Sequence, residues 1–424
     1  TVGTSAFKDS GFWKKSKTLE IYVDKWLVGY KKADNNDKQQ VAVAEGTVGI
    51  ANYAFYQKTN INNVTIPESL RYIGMAAFAE CTGLQMVTID KFCELTEIPD
   101  YAFYKCTSLF EVTLPPTVTR IGRSAFYKSG LMVANVSADV ESIGDYAYYG
   151  CESLVTVNFE YEDNKLKSIG NYAFGGASKL ETITLPDGVT TLGNNVFARC
   201  TSLKQVGLGN SLTSMGSAVF ASCTSLRQVT LPSTLKELPE RTFYKCSSLA
   251  SVEMDGVTSI GSYAFYRCSS LTDVNLPQGL TAIGDYAFYR CGLQNLYITD
   301  NVTELGAHAF NGNTDLTLYL QVSEIPQGWN ARWNSAFRPT ILGCNFATDD
   351  NGMYVVSFTK NAQTLLNFNS VEGSSARYSD PVRQGYSFGG WQATDGENTV
   401  VYQTNQLSTV PDDTELVAIW NKID

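Results

Sequence analysis

The hexapeptide YAFYRC stands at 263–268 and again at 286–291, and its near copy YAFYKC stands at 101–106. Aligning every such Ala-Phe doublet puts an aromatic residue at Phe55, Phe78, Phe103, Phe126, Tyr148, Phe174, Phe197, Phe220, Phe243, Phe265, Phe288 and Phe310. Successive steps are 23, 25, 23, 22, 26, 23, 23, 23, 22, 23 and 22 residues. A period near 23 held over a dozen copies is the mark of a solenoid, in which each unit buries its apolar face only against its neighbours.

Each unit has two halves. The first, as in LRQVTLP (226–232), alternates apolar and polar residues and ends on a proline, which cannot extend a ladder, so it predicts a short strand. The second, as in IGDYAFYRC (283–291), places Ala, Phe and Cys at offsets 0, 1 and 4. On a 3.6-residue period these share one face, with the tyrosines and Arg on the other, so one or two helical turns are expected. Asn52, Asp100, Asp145, Asn171, Asn194, Ser217, Ser262 and Asp285, three residues before the aromatic, are expected to cap those turns.

Cys81, Cys106, Cys151, Cys200, Cys223, Cys246, Cys268 and Cys291 all follow the aromatic by three residues. Ser129 and Ala177 fill the same register, so the position selects small size. In-register residues of a solenoid form a line and do not converge, which disfavours a metal site, and their parallel Cβ vectors disfavour disulfides. Packed thiols are therefore expected. Cys93 and Cys344 lie outside this register and carry no assigned role.

Charged residues make up 17% of the chain and hydrophobic ones 44%, the composition of a folded protein with a core. The net charge of −10 argues against a nucleic-acid partner. No apolar run reaches the length of a membrane span, so no membrane insertion is expected. The opening residues TVGTSAFKDSG lack a signal-peptide pattern and begin inside a repeat, so the chain reads as trimmed. Catalysis finds little support. The single histidine, His308, sits at a repeat position, and neither a phosphate-binding G-x-x-x-x-G-K-[ST] loop nor a G-x-S-x-G elbow occurs. No enzyme activity, cofactor or metal is expected.

The combination LxxVxLP followed by IGxxAFxxC resembles the BspA-like bacterial leucine-rich repeats, close to those of Treponema type, over about residues 45–345. PQGWNARWN (326–334) is similar to the segment that closes such arrays. PVRQGYSFGGW (381–391) with TELVAIW (414–420) resembles the Listeria-Bacteroides repeat of internalin-type surface proteins. The expected fold is thus an α/β solenoid, a leucine-rich array of about twelve units with short parallel strands and helical turns, plus a small β-rich module. The expected domains are a truncated N-terminal repeat with a hairpin-like insertion (1–50), the solenoid with its closing segment (51–345) and the module (353–424). Trp391 and Trp420 are read as core residues of that module. The resemblance implies a secreted or bacterial surface-exposed protein.

Function is sought in residues that stacking does not require. One candidate surface is the tyrosine column of the turn half: Tyr101, Tyr104, Tyr127, Tyr146, Tyr149, Tyr244, Tyr263, Tyr266, Tyr286 and Tyr289, with Arg267 and Arg290 beside it. Tyrosine beside arginine is a composition of protein interfaces, and equally one in which rings pack under cations. A second is the outward strand position: Thr65, Thr88, Thr113, Asn135, Asn158, Thr184, Gly207, Thr230, Glu253, Asn275, Tyr297 and Tyr319. The expected partner is another protein in adhesion. A glycan met by the Thr/Asn ladder with Tyr297 and Tyr319, or a scaffold role without ligand, is the alternative.

Overall fold

The computed structural model describes residues 14–31, 38–348, 354–360, 365–366, 380, 386–395, 398–411 and 413–423. The repeats form a β-solenoid of about 13 turns. Its contacts divide the chain into two units, Thr1–Leu235 and Lys236–Asp424. All but one of the repeat coils contribute a strand of two to six residues from the LxxVxLP half, the exception being the segment 271–277, and most add a two-residue strand at the Ile-Gly step. Both series run parallel, as with Ile61–Ile66, Met86–Ile89 and Glu111–Thr113, or with the two-residue rungs from Glu97–Ile98 to Ser214–Met215.

The turn half is not helical. From Pro99 to Cys106 the backbone N–H groups alternate in their use. Those of Ala102, Tyr104 and Cys106 donate three residues back, to Pro99, Tyr101 and Phe103. Those of Tyr101, Phe103 and Lys105 donate across to Arg123, Ala125 and Tyr127 of the next coil. A helix needs every N–H for its own i−4 carbonyl; here every second one is spent between coils. The local geometry is a chain of β-turns with Tyr101 (φ 60°) and Lys105 (φ 54°) in the left-handed region. The left-handed conformation costs roughly 1–2 kcal/mol per non-glycine residue, and the intercoil ladder offsets it. The residues expected as helix caps cap the neighbouring coil. Asp100 Oδ1 accepts the Arg123 N–H at 2.8 Å, Asn171 Oδ1 that of Asn194 at 2.7 Å, and Asp285 Oδ1 that of Ala307 at 2.7 Å.

Ala102, Phe103 and Cys106 and their counterparts do point inward. In the first unit the rings from Phe55 to Phe220 stack with centroids 4.8–5.7 Å apart and planes within 10°, a column of offset aromatic contacts. The ten cysteines are buried thiols. Size does not exhaust their role: Cys106 Sγ donates to Phe78 O at 3.0 Å, and Cys81, Cys151, Cys200 and Cys291 repeat this bond to the aromatic of the preceding coil. Asn313, in the same register, donates to Phe288 O at 2.8 Å. Cys93, outside the register, also donates to a carbonyl of the preceding coil, that of Leu70 at 3.0 Å.

At the N-terminal end, Glu20–Val23 and Trp26–Tyr30 form an antiparallel hairpin, and the second strand pairs in parallel with Gly49–Ile50. The hairpin's second strand, WLVGY, thus joins the parallel ladder, with Tyr30 next to Phe55 in the aromatic column. Phe7, which stands about two repeat periods before Phe55 in the sequence, lies outside the described residues. In the second unit, Trp333 continues below Phe310, and Trp329 Nε1 donates to Val302 O at 2.9 Å. Asn345–Thr348, Tyr354–Lys360, Tyr386–Asp395, Asn398–Tyr402 and Thr414–Lys422 make a five-stranded antiparallel sheet. Trp391 is buried at its centre and donates to Thr404 Oγ1 at 3.0 Å; Trp420 is partly buried against the same core. Among the described residues no helix is long and apolar enough to cross a membrane.

Candidate functional site

The tyrosine column splits into two sets. In the first unit Tyr104 stacks on Tyr127 (4.9 Å), Tyr127 on Tyr149 (5.3 Å) and Tyr146 on Tyr172 (5.0 Å); Tyr101 meets Tyr104 edge-on within its own turn. In the second, Tyr244 stacks on Tyr266, Tyr266 on Tyr289 and Tyr263 on Tyr286, at 4.8–5.1 Å. All are half-buried. Lys105, Lys128, Lys245, Arg267 and Arg290 each lie over the ring of the preceding tyrosine, 5.0–5.6 Å from its centroid. Ring faces are thus taken by neighbouring rings and cations, which leaves edges and hydroxyls outward. His308 extends the set by stacking on Tyr286, and its Nδ1 lies 2.6 Å from Ser335 Oγ.

On the strand half, Thr65, Thr88, Thr113, Asn135, Asn158, Thr184, Thr230, Glu253 and Asn275 are exposed as the alternation predicts. The last two rungs depart from it. Tyr319 is fully buried and Tyr297 half-buried, because the C-terminal sheet packs over them: Tyr319 shares a core with Phe346, Phe358 and Trp391. They cannot form an open platform for a sugar. The alternation of one strand carries no information about a sheet that covers it but is built from later segments of the chain.

One set of exposed residues escaped the reading of columns. Phe110, Met132 and Val155 each follow the inward Leu of their coil and are 42%, 52% and 44% exposed; Val133, next to Met132, is 40% exposed. They lie on consecutive rungs, since Met132 N–H donates to Phe110 O and Val155 N–H to Met132 O. The sequence does hold the signal, because other coils put Gln85, Glu181, Lys204 and Arg227 at that position.

Burial holds the thiols well above their ordinary range: Cys81, Cys151, Cys200 and Cys291 are pushed up to about 12 by desolvation. They are therefore protonated and unreactive at neutral pH. Among the described residues no group of three or more His, Cys, Asp or Glu converges as metal ligands would.

Comparison with known families then decides the kinship. The profile of the BspA type leucine rich repeat region, which holds six copies, matches residues 34–155, 141–256, 190–317 and 236–338. The chain belongs to this family. Among solved structures it is similar to a leucine-rich repeat protein from Bacteroides ovatus, 28% identical over 72% of this chain and 91% of that one, with a TM-score of 0.44. It is also similar to the pneumococcal vaccine antigen PcpA (23% identical, 75% and 80% covered, TM-score 0.46) and to a leucine-rich cell surface protein from Faecalibacterium prausnitzii (22%, 59% and 89%, TM-score 0.32). No curated protein matches. Family members are repeat scaffolds, and no catalytic function is indicated for this BspA-type array.

Proposed function

We propose that this BspA-type array is a non-enzymatic, secreted or surface-displayed scaffold that recognises protein partners in adhesion, through the strand face of its first unit. The observation that supports this is the run of Phe110, Met132, Val133 and Val155, exposed on consecutive rungs beside the uncharged ladder of Thr113, Asn135 and Asn158. Exposed apolar side chains with hydrogen-bonding ones beside them have the makeup of an interface core with a polar rim. The tyrosine columns, with Arg267 and Arg290, are the secondary surface, contributing phenol hydroxyls and cations held in place by their rings. The C-terminal sheet acts as a closing module for the strand face at Tyr319. The test is binding of the intact chain to immobilised host matrix proteins and to neighbouring bacterial cells, against Met132→Glu with Val155→Glu. Loss of binding in this variant with an unchanged melting curve supports the reading. No binding by the parent chain, or equal binding by the variant, refutes it.

A further inference from the structure

A third column runs along the first unit, at the residue before the inward Ile or Leu of the parallel rungs: Trp26, Gly49, Tyr72, Glu97 and Arg120. In the following coils it holds Ser142, Ser168, Thr191 and Ser214, too short to wall anything. The first five positions therefore break the repeat, where function is to be sought.

The large residues are arranged around a space. The Trp26 indole occupies the slot that Gly49 leaves: a Cβ at Gly49 would lie 2.4 Å from it. From there it stands parallel to Tyr72, at 9° and 6.0 Å between centroids, and Tyr72 is 58% exposed. At the other end Arg120 Nη1 and Nη2 both donate to Asp100 Oδ1, at 3.1 and 2.9 Å, and Arg120 Nε lies 3.6 Å from Glu97 Oε2. Asn52 and Met75 face this column from two residues beyond the inward Ile. Between them opens a cleft of about 290 Å³ over Ile50, Ala51, Ile73, Gly74 and Pro99.

We infer that this cleft is a saccharide site for the terminal residue of a neutral oligosaccharide, separate from the strand face. The exposed Tyr72 ring, backed by the parallel Trp26 indole, provides an apolar wall for the C–H face of a pyranose. Carboxylates and a guanidinium at the far end, held by one another, offer charge-assisted hydrogen bonds to its hydroxyls. The cleft lies at the small end of ligand pockets, which suits a terminal sugar and not an extended chain. Two carboxylates against one guanidinium leave the site net negative, which selects neutral over acidic sugars.

The experiment presents the whole chain to an array of galactose-, mannose- and N-acetylglucosamine-terminated oligosaccharides, with sialylated counterparts as the charge control, and measures the hits by calorimetry. Neutral termini are expected to bind. Tyr72→Ser, an exposed change that leaves the fold intact, should weaken them at least tenfold, as should Trp26→Ala if that variant folds. Met132→Glu should leave saccharide binding unchanged whether or not the strand face binds protein. Absence of binding to every neutral oligosaccharide, preference for the sialylated ones, or unchanged affinity in Tyr72→Ser overturns the inference.

Discussion

The buried thiols make the stability of the first unit fall steeply in alkali. Cys81, Cys151 and Cys200 are displaced from an ordinary value of 9.0 to about 12 by burial. Above about pH 9 the unfolded chain releases these protons while the folded chain keeps them, so the unfolded state binds fewer protons and stability declines as pH rises. At pH 10 an unfolded thiol is about nine-tenths ionised while the folded one stays almost wholly protonated, which favours unfolding by roughly 1–2 kcal/mol per thiol. At pH 8 both states hold nearly all of these protons and the difference is negligible. The three together remove about 4 kcal/mol between pH 8 and pH 10, a large part of the roughly 5–15 kcal/mol that holds a domain folded. The assay is urea unfolding at both pH values under reductant, for the parent and for the triple variant Cys81→Ser, Cys151→Ser, Cys200→Ser. Tyrosine and lysine titration is common to both proteins, so the excess alkaline loss in the parent isolates the thiols. A triple variant that loses as much stability as the parent refutes the reasoning, as does native reaction with a thiol reagent at the rate of an unfolded cysteine.

Gly284 and Gly279 lie five residues apart in the second unit, but a Cβ would lie 2.5 Å from the Ser262 backbone nitrogen at the first and meet nothing within 4 Å at the second. Thermal melts should show Gly284→Ala destabilising by about 1–3 kcal/mol and Gly279→Ala neutral or stabilising by up to about 1 kcal/mol. Asn313→Ala should cost about 1–3 kcal/mol by leaving the Phe288 carbonyl and the Leu293 N–H without the side-chain partner they have here, and Asn313→Cys should recover part of it, because the register is built for a thiol donor; equal melts for the two would discount the thiol bond. Phe103→Ala, emptying a fully buried place between two stacked rings, should cost about 3–5 kcal/mol in denaturant unfolding, and a loss under 1 kcal/mol would show the column to be plastic.

The inward set of the repeats was legible from period alone, because burial of Ala102, Phe103 and Cys106 follows from what a stacked coil must hide. The helical turns were misread for an identifiable reason. Offsets 0, 1 and 4 fit a helix face, but they also fit paired turns, and no local pattern reveals that Tyr101, Phe103 and Lys105 give their N–H groups to another coil. The same blindness turned Asp100 and Asn171 into caps of their own turns. At the surface, the exposure of Thr65 to Asn275 followed from alternation, whereas Tyr319 did not, since what covers it folds from a later segment. Trp26 and Tyr72 were readable in principle, as departures from a column of serines and threonines. Their meeting depends on Gly49 lacking a side chain, a relation between three coils that appears only when those coils are set side by side.

The alternation of N–H use in the turns bears on how such a chain can change over generations. From the inward Ile, Leu or Met to the Cys register each of the twelve repeats between Ile50 and Asn313 keeps nine residues, as in IPDYAFYKC and LGNNVFARC, while the spans on either side lengthen or shorten. A single codon gained or lost inside the nine would shift the parity, so that each group meant for its neighbour would face its own turn and the reverse. Drift in repeat length is thereby channelled into the intervening loops, and new coils are best acquired by duplication of whole frames.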